Sequence, residues 1–162
     1  MINNKSKNEL EMGINNYLIN GCADINSFND PVSEVIDYLN ALFSVDVKLA
    51  EECCKKVLET KHVDSCFFKS ICLNDLLLSE SEWSYAFNYL LNETGSLSIP
   101  EIEKALFYFY CAKNETNPYP VPEGLFKKLM ERYEELKGEP DAKFYHLHET
   151  YNDFVKAYNL MI

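Results

Sequence analysis

The chain has 162 residues, 47% of them apolar and 25% charged, with 26 acidic against 15 basic side chains and a formal charge of −11. That length and composition fit one folded domain with its own core and exclude a disordered chain. Arg132 is the single arginine, and base edges are read chiefly by Arg while phosphates repel carboxylates, so a direct nucleic-acid reader is disfavoured.

The opening Met1-Ile-Asn-Asn-Lys-Ser-Lys-Asn8 has no apolar region for a secretory signal and reads as a frayed polar lead over residues 1–8. The longest apolar stretch, Ala105–Ala112, is far short of the ~20 residues that span a bilayer, so no membrane partner is expected. Leu10, Ile14, Tyr17 and Leu18 mark a first helix, and Gly21 to Asn29 reads as loop. Asp30-Pro31 is a helix cap followed by proline at the first helical position, opening a stripe of Val32, Val35, Ile36, Leu39, Leu42 and Phe43. A further helix from about Asp46 turns Leu49, Ala50, Cys53, Val57 and Leu58 inward.

From Asp64 an apolar pattern runs through Phe67, Phe68, Ile71, Cys72, Leu76 and Leu77. Ser79-Glu80-Ser81-Glu82 spells a capping box ahead of Trp83, Phe87, Leu90 and Leu91, and Ser98-Ile99-Pro100-Glu101 repeats it ahead of Ile102 to Tyr110. The prolines of Asn117–Gly124 demand an extended loop. Leu125 to Leu136 and Phe144 to Tyr158 carry the last two helical patterns. Strand signals are sparse, so the expectation is an all-α single domain, 1–162, of about seven to eight helices in antiparallel hairpins. The spacing of helix starts fits a short HEAT-like repeat and fits an irregular bundle equally well.

Little in the chain points to chemistry. His146 and His148 are about 200° apart on a helix and cannot share an ion, while His146, Glu149 and Asp153 read as a solvated face. His62 and Cys66 lie four apart near a helix start, without a visible orienting group or oxyanion hole. No phosphate loop or nucleophile elbow occurs. The expectation is no enzyme, no metal and no cofactor. The six cysteines lack framework spacing and read as reduced, mostly buried thiols of a cytoplasmic protein. Richness in Asn, Lys, Ile, Tyr and Phe is the composition of an A/T-rich genome, such as a bacterial one.

Two features point to interaction. Between Ser70 and Glu103 there are six acids (Asp75, Glu80, Glu82, Glu93, Glu101, Glu103) and no Lys or Arg. Such a flank attracts cationic surfaces, although solubility alone also explains it. The second is aromatic density, 14% of residues, including Leu106-Phe107-Tyr108-Phe109-Tyr110, which is apolar around a whole turn and so predicts a central helix. Tyr119, between two prolines, lies outside any main core.

The stretch from Asp64-Ser-Cys-Phe-Phe-Lys-Ser-Ile-Cys-Leu-Asn-Asp-Leu-Leu-Leu78 to Ile102-Glu-Lys-Ala-Leu-Phe-Tyr-Phe-Tyr110, in a small, acidic, helical chain, resembles bacterial immunity proteins. These are the antitoxins paired with contact-dependent growth inhibition and other polymorphic toxins. The resemblance implies a toxin inhibitor that binds a basic toxin domain, often a nuclease, and blocks its active site or an essential surface. The expected contact edge is Asp75, Glu80, Glu82 and Glu93, with Tyr85, Tyr108 and Tyr119 as less polar contacts. The alternative is a helical-repeat adaptor for a cellular peptide or protein partner.

Overall fold

A computed structural model describes residues 2–61, 63, 65–115 and 120–160. Among the described residues there are nine α-helices and no strand, the all-α fold that the periodicity predicts. The chain divides into two compact units, Met1–Asp75 and Leu76–Ile162.

The first unit contains α1 (Lys7–Asn20), α2 (Pro31–Val45), α3 (Val47–Glu59) and most of α4 (Cys66–Leu77). The polar lead is shorter than expected. Ile2–Asn4 form one 3-10 turn, and Ser6 opens α1 with a capping box: Glu9 N donates to Ser6 Oγ at 3.2 Å and Ser6 N to Glu9 Oε2 at 2.7 Å. Asp30 caps α2 through Ser33 N at 2.9 Å, ahead of Pro31. Asp46 both ends α2 and caps α3, taking Leu49 N at 3.0 Å and Lys7 Nζ at 3.3 Å. A single residue therefore makes that corner.

Helix α1 packs on α2, and α3 packs on both. Leu10, Ile14, Val35, Leu39, Leu42, Ala50 and Val57 are almost completely buried between them. Each large aliphatic side chain among them contributes about 2 kcal/mol of transfer free energy. Gly13 lets Tyr38 lie against α1: a Cβ there would sit 2.1 Å from the Tyr38 ring. Helix α4 is capped by Ser65, whose Oγ takes Phe68 N at 3.0 Å, and Phe68 meets Tyr17 edge-on with ring centres 5.3 Å apart. Cys54 and Cys72 hydrogen-bond to each other in the interior, and that bond with burial pushes the Cys54 thiol far above its usual range.

The second unit contains α5 (Trp83–Glu93), α6 (Ile99–Ala112), α7 (Leu125–Leu136), α8 (Pro140–Phe144) and α9 (Leu147–Ala157). Its most extensive pairing is α6 with α9, and α7 packs against both α5 and α6. An aromatic chain fills the centre: Phe87 against Phe109 at 5.3 Å, Phe109 against Phe126 at 5.1 Å, and Phe126 against Phe154 at 5.0 Å. Tyr158 closes it by donating to Phe109 O at 2.7 Å. Helix α6 is not buried all round, contrary to the expectation of a central helix. Leu106 and Phe109 face the core, whereas Phe107 is 49% and Tyr110 40% exposed.

Capping accounts for one more difference from the sequence reading. Ser98 and Glu101 form their box, with Glu101 Oε1 accepting from Ser98 N at 3.2 Å and Ser98 Oγ at 2.7 Å. Ser79 makes no capping bond; its Oγ pairs with Ser81 Oγ at 3.2 Å. Glu80–Glu82 form a 3-10 turn instead, and α5 begins at Trp83. Trp83 Nε1 donates to Leu77 O at 2.6 Å, which holds that turn against the end of α4.

Candidate functional site

The expected contact residues occupy different environments. In the first unit, Asp75 sits in the last turn of α4 with Oδ2 buried and, among the described residues, without a hydrogen-bond partner. Burial holds its carboxyl up at about 6. A carboxylate placed this way is a poor long-range steering charge, so Asp75 differs from the exposed acid that its position near a helix end predicts.

In the second unit, Glu80 and Glu82 share the 3-10 turn, with Glu80 exposed and Glu82 half-buried. Tyr85 follows one turn later, half-buried. Leu78, absent from the expected set, is 70% exposed immediately before them. An exposed apolar side chain followed in the chain by two acids and by the half-buried Trp83 and Tyr85 is what the structure presents here.

Glu93 stands apart from this group. It ends α5, whose eleven residues put about 15 Å between it and the Glu80–Glu82 turn. Its carboxylate accepts from Ser96 Oγ at 3.2 Å. Basic residues from α7 also reach this end, with Lys128 Nζ on Leu91 O at 3.1 Å and Arg132 on Leu97 O. The stretch without Lys or Arg in sequence is thus supplied with cations in space. Glu101 and Glu103 are spent internally, Glu101 on Ser98 and Tyr89 and Glu103 on Thr150.

Tyr108 is part of the aromatic core, edge-on to Phe109 at 5.2 Å and to Phe87 at 6.0 Å. Burial raises its hydroxyl to about 12. Tyr119 and His62 lie outside the described residues. Cys66 is exposed at the first turn of α4. His146 Nδ1 approaches Glu149 at 3.9 Å, and His148 hydrogen-bonds the Tyr133 hydroxyl, while Tyr133 stacks on Tyr151. Among the described residues, no group of three or more His, Cys, Asp or Glu is placed to hold a metal ion.

No protein-family model matches this chain, and no curated protein is significantly similar to it. Among the described residues, no helix is long and apolar enough to cross a membrane.

A second surface feature lies in the first unit, in the loop from Gly21 to Asp30. Phe28 is fully exposed and Ile25 is 84% exposed. The loop is tied down around them: Ser27 N donates to Asp24 O at 3.1 Å and Asn26 N to Asp24 Oδ1 at 2.9 Å. Ser27 Oγ and Asn29 Nδ2 both donate to Glu34 Oε2, the latter at 3.1 Å, and Glu34 is buried. The only sequence signal for this site is two large apolar residues in a stretch without helical period.

Proposed function

We propose that this protein is a binding inhibitor of the immunity type, which covers a basic surface of a toxin domain and blocks it. The observation that carries the reading is the Leu78–Tyr85 segment: an exposed leucine followed by Glu80 and Glu82, with the half-buried Trp83 and Tyr85 next in the chain. An apolar centre bordered by charge is the usual anatomy of a protein interface. Here the border is acidic, and with a chain charge of −11 it favours a cationic protein over a phosphate backbone or an anionic lipid surface. A nuclease domain meets that requirement, since the surface that handles its substrate must attract phosphates.

The test is binding to the terminal domain of a large secreted toxin encoded beside this gene. Association should be fast and fall with added salt. Glu80→Lys combined with Glu82→Lys should slow association by about tenfold and weaken its salt dependence, because rim charges act mainly on the on-rate. A folded double variant with unchanged rate and salt dependence would reduce the acidity of this surface to solubility. Absence of any such toxin gene, or of binding to its product, would remove the reading itself.

A further inference from the structure

Phe28 is fully exposed in a loop that its two neighbours tie down. Ser27 on one side and Asn29 on the other donate to the same oxygen of Glu34, which ties the backbone down on both sides of the exposed ring. A loop free to collapse would gain by burying a phenylalanine. Here two polar side chains tie the loop to a buried carboxylate while the ring stays in solvent. Such bracing lowers the ordering cost when an anchor enters a partner.

Next to the loop, lined by its Ser27 and Asn29, lies a recess of about 380 Å³ bordered by Asp24, Glu34 and Asp37, with Lys5 as its one cation. Lys5 Nζ stands 5.5 Å over the Tyr38 ring at its floor. Asp30, at the end of the loop, adds a further exposed carboxylate. The surface therefore pairs an apolar knob with an acidic recess. A second copy of this chain also offers a hollow of mixed polarity, lined by Tyr17, Leu18, Ile19, Pro31 and Val32 together with Asn20 and Ser65. Two copies of a chain that each carries a formal charge of −11 repel one another, so charge opposes that occupant.

We infer that the Gly21–Asp30 loop is a docking element that inserts Phe28 among apolar side chains of a basic protein, with a Lys or Arg of that partner entering the recess beside it. This rests on the preceding section only in the sign of the partner's charge, and it places a contact in the first unit that the acidic window does not include.

The experiment selects a displayed library of random peptides against the whole chain and then measures the enriched peptides on variants. The expected peptides combine apolar residues with Lys or Arg. Phe28→Ser should weaken them by at least about tenfold, as loss of an interface anchor does. Asn29→Ala should weaken them several-fold by loosening the brace while leaving the ring in place. Phe144→Ser, which removes an exposed ring from the second unit, should leave binding unchanged. Because both rings are exposed, thermal midpoints should not move, so a loss of binding is not a loss of fold. Peptides that bind Phe28→Ser as well as the parent, enrichment without basic residues, or no enrichment would each overturn the inference. A Phe28-dependent dimer in sedimentation would overturn it in favour of a second copy. Toxin-domain binding indifferent to Phe28→Ser would defeat this inference and leave the proposed function standing. Basic peptides that need Phe28, without toxin-domain binding, would do the reverse.

Discussion

Arg132 closes two hydrogen bonds on one carbonyl, that of Leu97, with Nε at 3.0 Å and Nη2 at 2.9 Å. Its Nη1 donates to Glu135 at 2.7 Å. The chain's single arginine thus clamps the segment before α6 onto α7 rather than reading a ligand. Arg132→Ala should destabilise by about 2 kcal/mol, the usual worth of hydrogen bonds from a charged donor, in urea unfolding. Arg132→Lys should recover less than half of that, since an ammonium cannot present the planar fork. Glu135→Ala should cost under about 0.5 kcal/mol, because the Glu135 side chain is 62% exposed and the pair is screened. Equal losses in all three variants would contradict the clamp.

Asp75 gives the fold an unusual pH response. Its folded value of about 6 lies above the ordinary 3.8, and the cause is burial. The folded state therefore keeps the proton that the unfolded chain releases. This contribution to stability is fully present below pH 3.8 and is lost as pH rises through about 6. Asp75→Asn should make the protein more stable at pH 7 by about 2 kcal/mol and remove this part of the pH dependence. Glu9, Asp30 and Asp46 act with the opposite sign, since backbone hydrogen bonds lower them and their contribution is lost in acid. The difference between the parent and Asp75→Asn across pH 4 to 7 isolates the one group, and parallel curves would refute the assignment.

Gly13 is fixed by its neighbour rather than by its backbone. Alanine is the better helix former by about 1 kcal/mol. At this site, however, its methyl would overlap the buried Tyr38 ring. Overpacking of that kind costs about 1–3 kcal/mol, so Gly13→Ala should destabilise despite the gain in propensity. Restoring stability by Gly13→Ala with Tyr38→Leu would confirm the clash; a simple sum of the two single effects would not.

The cysteines should divide by accessibility. All six are free thiols; Cys66 and Cys111 are exposed, Cys22 is partly covered, and Cys53, Cys54 and Cys72 are buried. A native titration with a thiol-specific disulfide reagent should show Cys66 and Cys111 first, Cys22 more slowly, and the other three only on unfolding. Burial also raises Cys53 to about 11, which further suppresses its thiolate. Reaction of Cys54 or Cys72 in the folded protein would mean that the first unit opens readily.

The sequence alone determined what depends on local spacing. Apolar residues at helical intervals gave the helices, Asp30-Pro31 and the Ser98–Glu101 box gave two of their starts, and the absence of alternating β-branched runs gave the all-α class. The Ser6–Glu9 box is spelled in the sequence too, but it is missed when residues 1–8 are read as a frayed polar lead. Only the tertiary structure decided which helices pair, because α6 with α9 is a long-range contact with no local signature. It decided that Asp75 is buried, that Lys128 and Arg132 reach a segment with no cation of its own, and that Glu101 and Glu103 serve internal bonds. Charge counted along a chain cannot reveal these outcomes, since neutralisation and desolvation act through space. Phe28 was hidden for a related reason: whether a loop aromatic is buried or exposed is decided through space, and the acceptor that ties down Ser27 and Asn29 on either side of it is Glu34, in the next helix.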